Sequence, residues 1–148
     1  MPSFTIFAVF ATLAAAIAVA KVGGLPERSV ALTIAYWILI DQLSHLIFGS
    51  PNFQETNIVQ LLLDGSVFII LFVTMLKANR NWPILATASQ LIAIFGHLST
   101  IVFPNGMQRA YWAMTQLPPL LVLICLAFGT LFHRIRLQRL GPYRHWSY

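Results

Sequence analysis

Four ionisable side chains lie inside apolar stretches of this sequence: Asp41, His45, Asp64 and His97. An ionisable group at membrane depth costs roughly 2.5–3.5 kcal/mol on insertion scales. Carboxylates and imidazoles bind ions, accept hydrogen bonds and exchange protons, so each of them is a functional candidate despite that cost. The pattern predicts a site for a ligand, an ion or a proton, or else a buried contact between helices.

The four residues fall at similar depth in three predicted helices. At a rise of 1.5 Å per residue, Asp41 lies ~12 Å from the outer end of its helix, and His45 lies ~6 Å from it. Asp64 and His97 each lie ~9 Å from the outer ends of theirs. We therefore expect all four side chains to meet in one layer of the outer leaflet.

Further polar residues recur at helical spacing on these predicted helices. Asp41 and His45 are four residues apart, as are Gln60 and Asp64, and Gln116 follows Trp112 by the same interval. We expect helices two to five to turn these polar faces toward a common interior, with Gln60 and Gln116 joining the site. Buried glutamines are also typical of hydrogen bonds that hold membrane helices together.

Several chemistries fit two histidines and two carboxylates. The set suffices for zinc, manganese or non-haem iron, and His45 and His97 could ligate a haem or a chlorophyll magnesium. The spacing matches no diagnostic metal motif, so no cofactor is favoured. A structural alternative is that Asp41 and His45 only satisfy each other and that Asp64 is satisfied at a local helix break beside Gly65. No serine or cysteine motif for nucleophilic catalysis is present, so the sequence leaves enzymatic activity undecided and favours a non-enzymatic role.

Composition identifies the elements that must position these residues. The 148 residues are 58% hydrophobic and only 9% charged, and the mean hydropathy is +0.76. So few charges do not cover a soluble globule of this size, and the composition indicates an integral membrane protein. We predict one all-α transmembrane domain over residues 1–148, an up-down bundle of five helices. The predicted spans are 3–22, 29–49, 58–76, 83–103 and 110–132.

The basic residues predict the orientation of the bundle. With five spans, eight of the nine Lys and Arg residues fall on one side, and Arg109 alone falls on the other. The positive-inside rule makes the eight-residue side cytoplasmic, with the N-terminus outside. The net charge of +5 is therefore interpreted as a topology signal, and we expect no nucleic-acid partner.

A basic, aromatic tail over residues 133–148 follows the fifth span. We expect its first part to extend the fifth helix to Leu140, where Gly141 and Pro142 would end it. The tail is predicted to touch anionic headgroups or a partner subunit. The residues expected to make these contacts are Arg134, Arg136, Arg139, Tyr143, Arg144 and Trp146.

Several short segments along the chain form a recognisable pattern. They are Pro26-Glu-Arg28, Asp41-Gln-Leu-Ser-His45, Asn79-Arg-Asn-Trp-Pro83, Gln90 with His97-Leu98, His133-Arg-Ile-Arg136 and Gly141-Pro-Tyr143. This pattern resembles a group of short, multi-spanning inner-membrane proteins of alphaproteobacteria. The resemblance implies a multi-pass protein of the bacterial cytoplasmic membrane and implies no particular chemistry.

These observations lead to one functional expectation and two alternatives. We expect a small polytopic subunit of a larger or homo-oligomeric membrane complex, in contact with lipids and with other subunits or copies of itself. Its intramembrane His/Asp site would take a ligand, ion or proton. The first alternative is a proton-coupled small carrier that works as an oligomer. The second is a metal-dependent intramembrane enzyme or a pigment-binding protein.

Overall fold

The structure, a computed structural model, describes residues 12–19, 21–49, 58–102 and 108–141. Within these ranges the chain is helical with short connections and contains no strand. Helix α1 comprises residues 12–19 and 21–22. It is followed by α2 (Leu25–Phe48), α3 (Ile58–Lys77), α4 (Trp82–Val102) and α5 (Gln108–Leu140).

Helices α2 to α5 are each long and apolar enough to cross a membrane. They match the second to fifth predicted spans in position. The first predicted span, 3–22, lies partly outside the described residues, so the structure does not test it as a span. Large apolar side chains such as Leu62, Ile69 and Leu76 are exposed on the outer face of α3. An exposed apolar face of this kind suits contact with lipid.

Proline and glycine set the helix ends. Helix α2 begins at Leu25, four residues before the predicted Ser29, because Pro26 is tolerated in a first helical turn. It ends at Phe48 and is followed by Gly49, whose φ of 84° is a conformation that favours glycine. Helix α5 runs to Leu140 and is followed by Gly141 with a φ of 72°. The predicted extension of the fifth helix is therefore confirmed.

Helices adjacent in sequence are adjacent in space. Helix α4 packs on α3 and most extensively on α5, and α2 packs on α3 and touches α5. Gly96 allows the close approach of α4 to α5, because a Cβ there would lie 2.9 Å from the Cβ of Met114. A buried apolar cluster joins the helices, with Ala16 from α1, Ile34 from α2, Leu71 from α3 and Val122 from α5 among its members.

The predicted polar face of α5 meets the interior in part, because Gln116 lines the cavity that also contains Asp41. Trp112 and Gln116 are exposed, and the buried face is formed by Tyr111, Thr115 and Val122. This face follows the three-to-four-residue spacing of α5 and buries Tyr111 in place of the expected Trp112. Helix α5 therefore contributes Tyr111 to the buried interior, and its Gln116 is exposed where it lines the cavity.

Candidate functional site

Asp64 and His97 form a buried pair between α3 and α4. The Oδ2 atom of Asp64 lies 3.0 Å from Nε2 of His97. Asp64 is 2% exposed and His97 is fully buried. Asp64 lies six residues after the start of α3 and His97 lies five residues before the end of α4, ~9 Å and ~8 Å along the two helices, and this similar depth explains why they meet.

Two further donors complete the environment of the Asp64 carboxylate. Trp37 on α2 donates its indole N–H to Oδ1 at 3.0 Å, and the amide of Gln90 on α4 donates to the same oxygen at 3.1 Å. Asp64 therefore receives hydrogen bonds from two neighbouring helices. Helix α3 is continuous through Gly65, so these contacts, and not a helix break, satisfy the carboxylate.

The second ring nitrogen of His97 extends this network to α5. Nδ1 of His97 lies 3.0 Å from the hydroxyl of Tyr111, and the two rings meet edge to face. A tyrosine hydroxyl can donate to a neutral imidazole or accept from an imidazolium. The hydrogen-bonded series of Asp64, His97 and Tyr111 thus fits either a neutral imidazole or an imidazolium at His97. The two forms differ by one proton, and the Tyr111 hydroxyl rotates between them.

Asp41 on α2 has a more open environment. Its Oδ1 accepts a hydrogen bond from Gln60 of α3 at 2.7 Å, and the amide of Gln42 lies 3.5 Å from Oδ2. Nε2 of His45 is 3.7 Å from Oδ1, which is an ion-pair distance and too long for a hydrogen bond. The His45 side chain is one-third exposed.

A cavity of about 270 Å³ lies beside Asp41. Its wall is mostly apolar, and its polar members are Asp41, a threonine and three glutamines. A cavity of roughly 150 Å³ is large enough for benzene, so this one admits a somewhat larger molecule. The cavity is lined by Thr12, Ile34, Trp37, Ile38, Asp41, Gln42, Val67, Gln90, Gln116, Pro119, Val122 and Leu123.

Trp37 and Gln90 connect the cavity to the buried network. Both side chains line the cavity, and both donate to the Oδ1 atom of Asp64. A molecule that moved either donor would change the hydrogen bonding of Asp64. Asp41 with His45 and Asp64 with His97 therefore make no direct contact with each other, but Trp37 and Gln90 lie between the two pairs.

The structure also bears on the metal-ligand hypothesis. Across the described ranges of the chain, no three His, Cys, Asp or Glu side chains lie close enough together to hold a metal ion. Cys125 is a free cysteine on α5. The described residues thus offer pairs of ligands, Asp64 with His97 and Asp41 with His45, and no larger set.

A second buried polar cluster lies at the opposite end of the bundle. Glu27 of α2, which is fully buried, accepts hydrogen bonds from Arg80 and from the indole N–H of Trp82. Nη2 of Arg80 lies 3.1 Å from Nδ1 of His133 on α5. Because arginine can only donate, Nδ1 of His133 must be the acceptor and the ring hydrogen must sit on Nε2.

Several of these functional candidates were missed in the sequence. Trp37 and Tyr111 look like ordinary aromatic residues of a membrane helix, and neither belongs to an acidic or histidine pattern. Glu27 and Arg80 stand at helix ends, where charges are expected to face water or headgroups. Trp82 is followed by a proline that indicates a helix start, and nothing in this pattern indicates that Trp82 contacts Glu27.

The tail residues are placed only in part. Arg134, Arg136 and Arg139 are exposed on the last turns of α5. Tyr143, Arg144 and Trp146 lie outside the described residues. The predicted contact of this segment with lipid or a partner stays a prediction.

Comparisons of the chain with protein-family models, curated proteins and solved structures returned no match. The resemblance to alphaproteobacterial inner-membrane proteins therefore also stays a prediction.

Proposed function

We propose that this membrane protein binds a small, largely apolar molecule in the cavity beside Asp41, with that carboxylate as the polar anchor. The observation that carries the proposal is the position of a carboxylate in the wall of an otherwise mostly apolar cavity. Ligand sites in proteins combine apolar walls with a few polar groups that fix orientation. In this proposal Asp41 is the ligand residue and Asp64 with His97 forms the supporting network.

The chemistry of the wall defines the class of ligand. A carboxylate accepts hydrogen bonds and attracts cations, whereas the glutamine amides donate and accept. The best fit is a compact apolar body that carries an amine or another hydrogen-bond donor. An anionic molecule of the same size would be repelled by Asp41.

Two exposed amides support the further proposal that the protein is a subunit of a larger or homo-oligomeric membrane complex. Gln42 and Gln116 line the cavity and are exposed on the surface of the bundle. An amide at membrane depth is stabilised by a polar partner on a neighbouring helix, which lipid tails do not provide. These residues fit a cavity mouth that is covered by another chain or by a second copy.

The second candidate function is a proton-coupled carrier. The observation that favours it is the hydrogen-bonded series from Gln90 through Asp64 and His97 to Tyr111. Such a series can adopt two arrangements that differ by one proton, and Gln90 connects it to the cavity. Transport would then couple binding beside Asp41 to the protonation of the Asp64–His97 pair.

Fluorine NMR of the purified protein with para-fluorobenzylamine tests the binding proposal. We expect a saturable signal that para-fluorobenzoate does not give, because only the amine complements Asp41. Asp41→Asn should weaken amine binding about tenfold, the equivalent of 1.4 kcal/mol. Val122→Phe should abolish it by filling the cavity and serves as the control for partition into detergent. Equal binding of amine and benzoate, or binding that survives Val122→Phe, would contradict the proposal.

The orientation and compartment are also proposals. We propose five spans in a bacterial cytoplasmic membrane, with the N-terminus outside and the C-terminus in the cytoplasm, on the strength of the basic residues. A topology reporter fused after Tyr148 should be cytoplasmic, and one fused before Met1 should be periplasmic. Two fusions that report the same side would refute the five-span topology.

A further inference from the structure

Trp37 is the only aromatic residue among the described residues that line the cavity beside Asp41. It lies on α2 four residues before Asp41, so the two side chains follow each other on one face of that helix. At this spacing the Cβ atoms of two helical residues are ~5–6 Å apart. An indole ring and a carboxylate therefore line the same part of one cavity wall.

The position of the Trp37 ring is fixed by contacts outside the cavity. Its Nε1 atom donates to Oδ1 of Asp64 on α3 at 3.0 Å, and the side chain packs against the buried apolar cluster. An indole has a single N–H donor, and in Trp37 this donor is used by Asp64. Trp37 therefore offers a molecule in the cavity its electron-rich ring and no hydrogen bond.

A ring and a carboxylate side by side favour one form of amine. A cation within ~6 Å of the centroid of an indole is attracted by the ring. Trp37 and Asp41 are flanked on α2 by Ile34 and Ile38, which line the cavity and have no acceptor in their side chains. A primary ammonium has three N–H donors to satisfy in these surroundings, whereas a dimethylammonium group has one. The single N–H suits Asp41, and the methyl groups suit the ring.

We propose that the cavity selects tertiary amines, which place the N–H on Asp41 and the N-methyl groups against Trp37. The inference rests on the proposed binding of an amine beside Asp41, and it names the class of amine. The volume of about 270 Å³ leaves room for an apolar ring together with a dimethylammonium group, since roughly 150 Å³ already admits benzene.

Fluorine NMR of the full-length protein in mild detergent compares para-fluorobenzylamine with its N,N-dimethyl derivative. Both are cations at neutral pH, and they differ only in the two methyl groups. The signal that remains in Val122→Phe, whose cavity is filled, is subtracted for each ligand. We expect the dimethyl derivative to bind about fivefold more tightly, which corresponds to ~1 kcal/mol for a cation on an indole face.

The proton spectrum of the bound ligand locates the methyl groups in the unmodified protein. The ring current of an indole shifts protons above its face to higher field. We therefore expect the N-methyl resonance of the dimethyl derivative to move upfield when it binds, because Trp37 is the aromatic side chain that the described wall offers. An N-methyl resonance without an upfield shift would contradict the proposal, and this measurement requires no Trp37 variant to fold.

Two variants of Trp37 form a matched pair. Trp37→Phe and Trp37→Leu both lose the indole N–H and its hydrogen bond to Asp64, and only Trp37→Phe keeps an aromatic face. We expect Trp37→Phe to prefer the dimethyl derivative about threefold and Trp37→Leu to bind the two amines within about twofold of each other. The melting temperature of each variant shows whether the fold is intact.

Two further results would overturn the proposal. Equal binding of the two amines by the unmodified protein would show that the cavity does not select N-methyl groups. An unchanged preference in Trp37→Leu would assign the gain to apolar contacts with other lining residues. In both cases binding of an amine beside Asp41 would still be observed. Binding of neither amine would instead contradict the proposed function of the cavity, and this inference with it.

Discussion

Asp64 and Asp41 are both buried aspartates near a histidine, yet their surroundings differ. Asp64 receives hydrogen bonds from Trp37 and Gln90, pairs with His97, and is 2% exposed. Asp41 has one short hydrogen bond, from Gln60, and it lines a cavity. Residue type and depth are thus shared by a saturated structural site and an accessible one. The two sites differ in the number of hydrogen-bond donors that other helices supply to the carboxylate.

The largest expected difference in stability is between variants that remove one carboxylate each. Asp64→Leu leaves buried donors from three residues without their acceptor and should lower the free energy of unfolding by about 3–5 kcal/mol. Asp41→Leu removes mainly the partner of Gln60 and should cost about 1–3 kcal/mol. Thermal unfolding in one detergent compares the two. Similar losses would mean that Asp41 is as tightly integrated as Asp64.

Replacing one glutamine beside each carboxylate tests the same difference between Asp64 and Asp41. Gln90 is buried and donates to Asp64 at 3.1 Å, so Gln90→Leu should cost about 1.5–3 kcal/mol, as for a hydrogen bond to a charged group. Gln42 is exposed and lies 3.5 Å from Asp41, so Gln42→Leu should change stability by less than about 0.5 kcal/mol. Chemical denaturation measures both. A large loss of unfolding free energy in Gln42→Leu, with little loss in Gln90→Leu, would show that Asp41 and not Asp64 is the tightly hydrogen-bonded carboxylate.

A tyrosine pair gives the smallest expected effect. Tyr111→Phe removes the hydroxyl beside Nδ1 of His97 and should cost about 0.6 kcal/mol, and at most about 1.7 kcal/mol. Tyr36→Phe removes an exposed hydroxyl that lies 3.3 Å from Ser66 and serves as the matched control, with a change near zero. Fourier-transform infrared spectra of the Asp64 carboxyl should respond to Tyr111→Phe alone. An unchanged spectrum would show that Tyr111 is not coupled to the pair.

The sequence predicted most of the helices because their signals are local. Span positions follow from apolar length, and the C-terminal ends of α2 and α5 follow from Gly49 and Gly141. The start of α2, predicted at Ser29, lies at Leu25. The sequence also predicted a similar depth for Asp41, His45, Asp64 and His97, but it did not single out the pairing of Asp64 with His97. These predictions needed only the helical rise and the order of the spans.

The remaining features depend on how the helices rotate against one another. Helix α5 buries Tyr111 and Thr115 beside the close contact of Gly96 with α5, and the polar periodicity of α5 does not predict which face makes this contact. The cavity beside Asp41 exists because side chains from different helices fail to fill one space. The contact of Glu27 with Arg80 joins residues 53 positions apart, and their sequence neighbourhoods give no sign of it.

Labelling with diisopropylcarbodiimide tests the difference between Asp41 and Asp64 most directly. This small apolar reagent adds to a protonated carboxyl group and forms a stable acylurea, which fragmentation of peptic peptides locates. At mildly acidic pH in detergent, Asp41 should be modified through the cavity, and para-fluorobenzylamine should slow the reaction. Asp64 should stay unmodified while the protein is folded, and Asp41→Asn should abolish the label. Modification of Asp64 as fast as Asp41, or no modification of Asp41, would contradict the assignment of Asp41 as the accessible site.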